Sequence, residues 1–379
     1  MKIEKVTIMS ILSKTLGAVS LCAVMAAGGV AMASDTAPLK DGRIGYAIAD
    51  SHFSVYQTPD GKKECPQGLN PNGPREIFKS LWPNGGTMED TVLLRQRANA
   101  FPADHPAQFP YIEAAGNVAI GLNLDGKVGA KDFTSPAGEK GIDNAFYRVT
   151  GCNTGFRGPE GQVQLFASKY LRGFQYNRMM IELSGVDSLA DDPSVDVTIM
   201  RGRDPLLLDA TGEKVAPGGS QRVDLRYGKE LIQHLKGKIE GGVLTTEPVK
   251  DATWTWQIEG GHPRALYIRD MRLRLTLTPT GAEGLLAGYF DVNTLLDWTN
   301  GYATHHLAYD RLDAPEFYWA MRRVADAYPD PKTGENTALS SAITISMAQV
   351  FIEHPEEPVS NQVASDEKAA VPAPAASRR

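Results

Sequence analysis

The sequence predicts a mainly β protein, with antiparallel strands stacked as a jelly-roll-like β-sandwich and a few short helices. Three observations predict it. Apolar and polar residues alternate with a period of two in stretch after stretch between 118 and 347, the pattern of strands with one wet face. Turn formers are abundant, 37 Gly and 24 Pro, and they interrupt the chain too often for long helices. Aromatic residues make up 8% of the chain, enough large side chains to fill a core between two sheets.

Residues 1–33 read as a secretory leader. Lys2, Lys5 and Lys14 make a basic start, Leu16 to Met32 is small and apolar, and Ala31-Met32-Ala33 forms a small-x-small cleavage pattern before polar Ser34-Asp35. The apolar run of about 17 residues is at the short limit for a hydrocarbon core about 30 Å thick, which favours a cleaved signal over an anchor. Leu21 stands where a lipoprotein would need a small residue before Cys22. No later stretch is long and apolar enough to span a bilayer. The expected location is the periplasm or the cell exterior.

Four regions follow: the signal peptide 1–33, an N-terminal region 34–115 with short helices, a β-sandwich domain 116–355, and a Pro-, Ala- and Ser-rich disordered tail 356–379. In the second region, 44–58 suggests a first strand pair. Asn72 and Pro74 suit the start of a short helix to about Leu81, and 87–98 suggests another. Strand alternation then recurs at 118–124, 180–184, 195–200, 254–258, 266–277, 285–290 and 343–347. The phase shifts near residue 270, as a β-bulge would make it. One helix is expected near 314–328: Asp313 and Glu316 form a capping box, Phe317, Ala320, Met321, Val324 and Tyr328 repeat at helical spacing, and Tyr328-Pro329 ends it.

The formal charge is −6, and loss of the basic leader makes the remainder more acidic, which speaks against nucleic-acid partners. Of three cysteines, Cys22 belongs to the leader. In an oxidising compartment Cys65 and Cys152 most simply form one disulfide, the alternative being two buried thiols. There is no Cys-x-x-Cys-His for covalent haem, no Cys pairing for zinc, and no Walker loop or dinucleotide fingerprint for a nucleotide cofactor.

Candidate chemistry sits in three places. Asp125, Asp132, Asp143 and Asn144 lie on a Gly-rich stretch whose oxygens suit Ca²⁺, although the spacing is not that of an EF-hand; the commoner use of such residues is to cap turns. Asp187, Asp191 and Asp192 pose the same choice in a second loop. His305 and His306, with Asp297 and Asp310, are the candidate catalytic or transition-metal set, with Asp291 and Asp313 nearby. Adjacent residues on a strand point to opposite faces, so the two rings would not readily share one ion. Trp254 and Trp256 share a strand face and, with Trp298, Tyr302 and Trp319, are candidates to line a sugar or apolar-ligand cleft, or to pack the core. No Gly-x-Ser-x-Gly elbow is present.

Gly141-Ile142-Asp143-Asn144, followed by strand-like Ala145 to Val149, resembles exported bacterial proteins of uncharacterised function in which a Gly-Ile-Asp-Asn segment precedes a β-rich region. Residues 182–202 and 272–292 are similar to the strands that follow in those proteins, and the likeness spans about 115–295. It implies architecture and no activity. Two function classes remain: an exported binding or accessory protein for a small molecule, glycan or protein, with calcium as its candidate cofactor, or a secreted metal-dependent or carboxylate-based hydrolase using 291–313.

Overall fold

The computed structural model describes residues 39–70, 84, 103, 111–158, 161, 179–226, 228–259, 262–298 and 314–355. The expected leader at 1–33, the helices expected at 74–81 and 87–98, the His305–His306 pair with Asp310 and Asp313, and residues 356–379 all lie outside the described residues.

In chain order the strands are β1 (Arg43–Phe53), a small pair β2 (Phe133–Thr134) and β3 (Lys140–Ile142), β4 (Met179–Ser184), β5 (Asp192–Arg201) and β6 (Gly219–Arg222). They continue with β7 (Gln233–Glu240), β8 (Val243–Thr246), β9 (Val249–Glu259), β10 (His262–Thr278), β11 (Gly281–Asp291), β12 (Ala327–Pro329) and β13 (Asn336–Glu353). The helices include α1 (Phe146–Thr150) and α2 (Ala314–Val324).

The strands form one closed antiparallel barrel of eight, in the order β1-β4-β5-β7-β8-β10-β11-β13 and back to β1. The closing seam is explicit: Gly45 of β1 stands opposite Glu182 of β4 on one side and Val350 of β13 on the other. The expected sandwich is therefore overturned, while the mainly β reading stands. Period-two alternation marks which side chains face a core, and a sheet closed on itself has the same alternation as two sheets face to face. Closure needs long, coiled strands. β10 has a bulge between Arg269 and Arg272, at the predicted phase shift, with Asp270 at φ 50°. Opposite it, Gly288 lets β10 and β11 close together, because a Cβ there would stand 2.6 Å from Ile268 Cγ2.

The barrel interior is filled. Tyr46, Ile48, Ile181, Val197, Trp254, Leu273, Phe290 and Ile343 are among the inward side chains, none more than 2% exposed. Residues between them, such as Glu182, Lys236, Lys238, Arg272 and Arg274, face outward. At the end where β1 and β11 finish and β13 begins, aromatic rings close the core: Phe53 lies 4.9 Å from Phe146 and 5.8 Å from Trp298, and Phe156 stacks on Phe317 at 6.1 Å. Cys65 and Cys152 form a disulfide beneath this cap, with Cα atoms 5.6 Å apart.

Some local expectations changed. Residues 118–124 form isolated bridges rather than a strand. They lie across the outer barrel wall, where Leu122 and Leu124 pack on Ala287 and Ala342 and Arg272 Nη2 donates to the Leu124 carbonyl at 2.9 Å. The 44–58 region is one strand, not a pair. The helix ends at Val324, not Tyr328, because the next residues join the sheet: Asp326 N donates to Ala338 O, and β12 pairs with β13. Tyr328 (φ 55°) then turns its hydroxyl to Asp270 Oδ2 at 2.5 Å, locking β12 over the β10 bulge. Phe317, Ala320 and Met321 do face the core.

Candidate functional site

Among the described residues the barrel interior is filled with side chains, and open space lies on the outer wall. A groove of about 670 Å³ lies there over β4, β5 and β7, beneath the crossover that joins β5 to β7. Strand alternation dictates its floor: Ile181 and Leu183 point into the core, so Glu182 and Ser184 point out. The crossover is held by apolar contact of Val223 with Ala47, Met180, Met200 and Val350. Asp224 is a buried anchor beneath it, 2.8 Å from Arg226 and 3.9 Å from Arg201. Burial alone would raise the Asp224 carboxyl, but hydrogen bonds from Arg226 and the nearby guanidinium charges outweigh it and hold it below the usual range.

The chemistry in the groove comes from two histidines. His354 Nε2 meets the Glu182 carboxylate at 2.9 and 3.0 Å, and the Glu182 side chain is only 9% exposed. A carboxylate oxygen accepts, so the Nε2–H tautomer fits this contact and leaves Nδ1 as an acceptor. His234 Nδ1 lies 3.2 Å from Thr198 Oγ1. Arg43, Ser184, Lys229, Leu225 and Ile232 complete a lining of charge beside apolar surface. A second groove of about 690 Å³ runs between the start of β1 and the end of β13, and shares Arg43 and Glu182 with the first.

The sequence-predicted residues fall elsewhere. Trp254 is 1% exposed, a core residue rather than part of a cleft, and the Trp256 side chain lies outside the described residues. Asp291 Oδ1 accepts from the N–H groups of Asn293 and Thr294, capping the helical segment 292–298, and Asp297 sits on the exposed face of that segment. Asp192 accepts from Asp187 N and Ser194 N, and Asp191 from Gly241 N, so the Asp191 and Asp192 side chains cap turns. Glu182, His234 and His354 were missed because each is a single polar residue in a strand or at its end, with nothing local to mark it. The only signal was Glu182 as a carboxylate within an apolar strand.

Asp125, Asp132, Asp143 and Asn144 spend their side chains on backbone. Asp125 Oδ1 accepts from Lys127 N at 2.8 Å, Asp132 from Gly129 N, and Asp143 Oδ2 from Leu124 N at 2.6 Å. Asn144 Nδ2 donates to Ile120 O at 2.7 Å and Ser54 O at 3.2 Å. Among the described residues no three His, Cys, Asp or Glu side chains gather closely enough to hold a metal ion. Burial, together with the charges of Asp125 and Asp132, pushes the Asp143 carboxyl up to about 6 against the pull of its backbone hydrogen bonds. A raised acid binds its proton more tightly folded than unfolded, so its contribution weakens as pH rises from about 4 through about 6. Asp143→Asn should therefore gain about 1 kcal/mol relative to wild type on going from pH 4.5 to pH 7.5. Urea denaturation at the two pH values measures it, and an offset that does not change with pH would refute it.

No described helix is long and apolar enough to cross a membrane. The barrel strands also turn apolar residues inward and charged ones outward, the inverse of a bilayer-spanning barrel. Compared with protein-family models, curated proteins and solved structures, the chain matches none.

Proposed function

We propose that the protein is exported and acts in the periplasm or cell exterior as a binding or accessory protein, with its ligand in the outer-wall groove. The observation that carries this is the Glu182–His354 pair: a nearly buried carboxylate orienting an imidazole in a groove that also offers Arg43, Thr198, His234 and apolar surface. Ligand sites of this kind combine apolar area with a few converging polar groups. Export is supported by the three-part leader at 1–33 and by a buried disulfide, which suits an oxidising compartment.

Two measurements test it. N-terminal sequencing of protein recovered from outside the cytoplasm should begin at Ser34; an intact Met1 start would refute the leader. Ligand-detected NMR with a panel of sugars, amino acids and short fatty acids should find binders that Thr198→Trp, which fills the groove, excludes. Binding unchanged in both Thr198→Trp and Glu182→Gln would move the site elsewhere.

Calcium is a second element of the proposal, favoured by one observation: the negative charges of Asp125 and Asp132 act on Asp143. A cation among them would relieve that repulsion. Millimolar CaCl2 should then raise Tm by several degrees over EDTA, and Asp125→Asn should reduce the gain; identical melting curves would remove calcium. The hydrolase alternative draws no support from the described part of 291–313, where Asp291 caps a helix.

A further inference from the structure

Strand register places a hydroxyl and a cation beside the Glu182–His354 pair. β4 ends as Glu182-Leu183-Ser184. Leu183 is buried in the core, so Glu182 and Ser184 share the outer face, about 6.8 Å apart along the strand. Ser184 lines the same groove as Glu182 and His354, and among the described residues no group bonds its hydroxyl. Gly185 follows at φ 71° and turns the chain away, and a Cβ there would meet no atom within 4 Å. The serine therefore stands at a strand end with open space beside it. Arg43 of β1 is its register partner. Opposed residues bring their Cβ atoms about 5 Å apart on one face, so Arg43 and Ser184 project side by side. Among the described residues Arg43 makes no ion pair.

One imidazole suits both ends of this arrangement. The Glu182 carboxylate holds His354 Nε2 at 2.9 and 3.0 Å, which leaves Nδ1 as the acceptor. A carboxylate and a hydroxyl bonded to the two nitrogens of one imidazole stand about 7 Å apart, close to the two-residue repeat of a strand. Glu182 and Ser184 are thus spaced for one ring to bridge them. The His354 side chain is 44% exposed, so the ring is free to turn toward the serine when a substrate enters, as catalytic hydrogen bonds often tighten only then. Met200, Val223, Leu225 and Ile232 give the groove an apolar wall.

We propose that Ser184, His354, Glu182 and Arg43 form an esterase site for esters with an apolar acyl part. This rests on the reading of the groove as a ligand site and adds a reaction to it. Ser184 Oγ attacks the ester carbonyl carbon and gives its proton to His354 Nδ1. The carbonyl oxygen becomes an oxyanion, stabilised by the Arg43 guanidinium. The bond from that carbon to the alkoxy oxygen breaks, the alkoxide takes the proton from His354 and leaves as an alcohol, and the acyl group stays on Ser184. Water, deprotonated by the same nitrogen, attacks the acyl carbon. Ser184 then recovers its proton from His354, and the carboxylic acid is released. Glu182 is a positioning residue, which orients the ring and stabilises its charged form. The apolar wall receives the acyl chain.

Hydrolysis of p-nitrophenyl butyrate by the purified protein, beside labelling with a fluorophosphonate, tests this. Turnover above the buffer rate is expected, with the phosphonyl group on the Ser184 peptide by mass spectrometry. Ser184→Ala should remove the label and lower kcat at least about 100-fold. Glu182→Gln should lower kcat about 100-fold and leave KM and Tm near wild type, a split that lost packing would not give. Absence of turnover and label, a label on another serine, or wild-type kcat in Ser184→Ala would overturn the proposal. If Thr198→Trp still excludes ligands in that event, the groove remains a binding site and only the reaction is lost. Turnover and labelling at Ser184, with ligand binding that Thr198→Trp leaves untouched, would support the reaction and overturn the binding reading instead.

Discussion

Replacing both Cys65 and Cys152 with alanine should lower the stability of the folded protein by about 2–5 kcal/mol, the largest effect expected of any change outside the barrel core. The bridge closes an 87-residue separation, and a loop of that size is near the upper end of what chain entropy offers. It also ties the segment after β1 to the end of α1, which the aromatic rings alone would hold only through packing. Both cysteines are buried, 4% and 0% exposed, so reduction of the folded protein should be slow and unfolding on reduction cooperative. Urea denaturation of the double variant beside oxidised wild type measures the loss. Equal midpoints would mean that the cap folds onto the barrel without its cross-link.

The second large effect belongs to Glu64, immediately before Cys65. Its side chain is 1% exposed and meets Arg157 at 2.8 Å, while Thr58 donates to it through its backbone N–H and its hydroxyl, each at 2.7 Å. Burial by itself would raise this carboxyl, but the hydrogen bonds from Arg157 and Thr58 outweigh burial and bring it down to about 2. Arg157→Ala leaves the carboxylate buried without its cation and should cost about 3–5 kcal/mol. A depressed acid stabilises above its unfolded pKa, near 4.3, and loses that contribution as pH falls through about 2. Wild type should therefore lose more stability than Glu64→Gln between pH 4.5 and pH 2, read from urea midpoints. Parallel curves would show that the pair contributes nothing. Because the Arg157 guanidinium also contacts Cys65 Sγ and Gly151 O, this variant and the cysteine variant should not be additive.

The strands legible in the sequence are those in which alternation was unbroken: β4, β5, β10, β11 and β13 appear where their apolar residues repeat every second position. The bulge near 270 was legible for the same reason, since an extra residue reverses the phase. β7 was not. Its sequence QHLKGKIE carries only Leu235 and Ile239 as buried apolar residues, four apart with Gly237 between them, which reads equally as a polar loop. The opposite error occurred at 118–124, where clean alternation became a segment laid over the barrel: its apolar side chains found an outer surface of Ala287 and Ala342 rather than a strand partner. Tyr328 matched the helical stripe, yet its backbone was claimed by the β13 edge.

The candidate site was less legible than the fold. Side-by-side His305 and His306 drew attention because adjacency is visible in a sequence, whereas the Glu182–His354 pair spans 172 residues. What the sequence by itself determined is local: which face of each strand is apolar and where the chain turns. Only the tertiary structure decided that β1 and β13 meet, turning a sheet into a closed barrel with a filled interior. The physical reason is that alternation is a property of neighbouring residues, whereas closure depends on accumulated twist and on one pairing between chain segments about 300 residues apart, which no local pattern encodes.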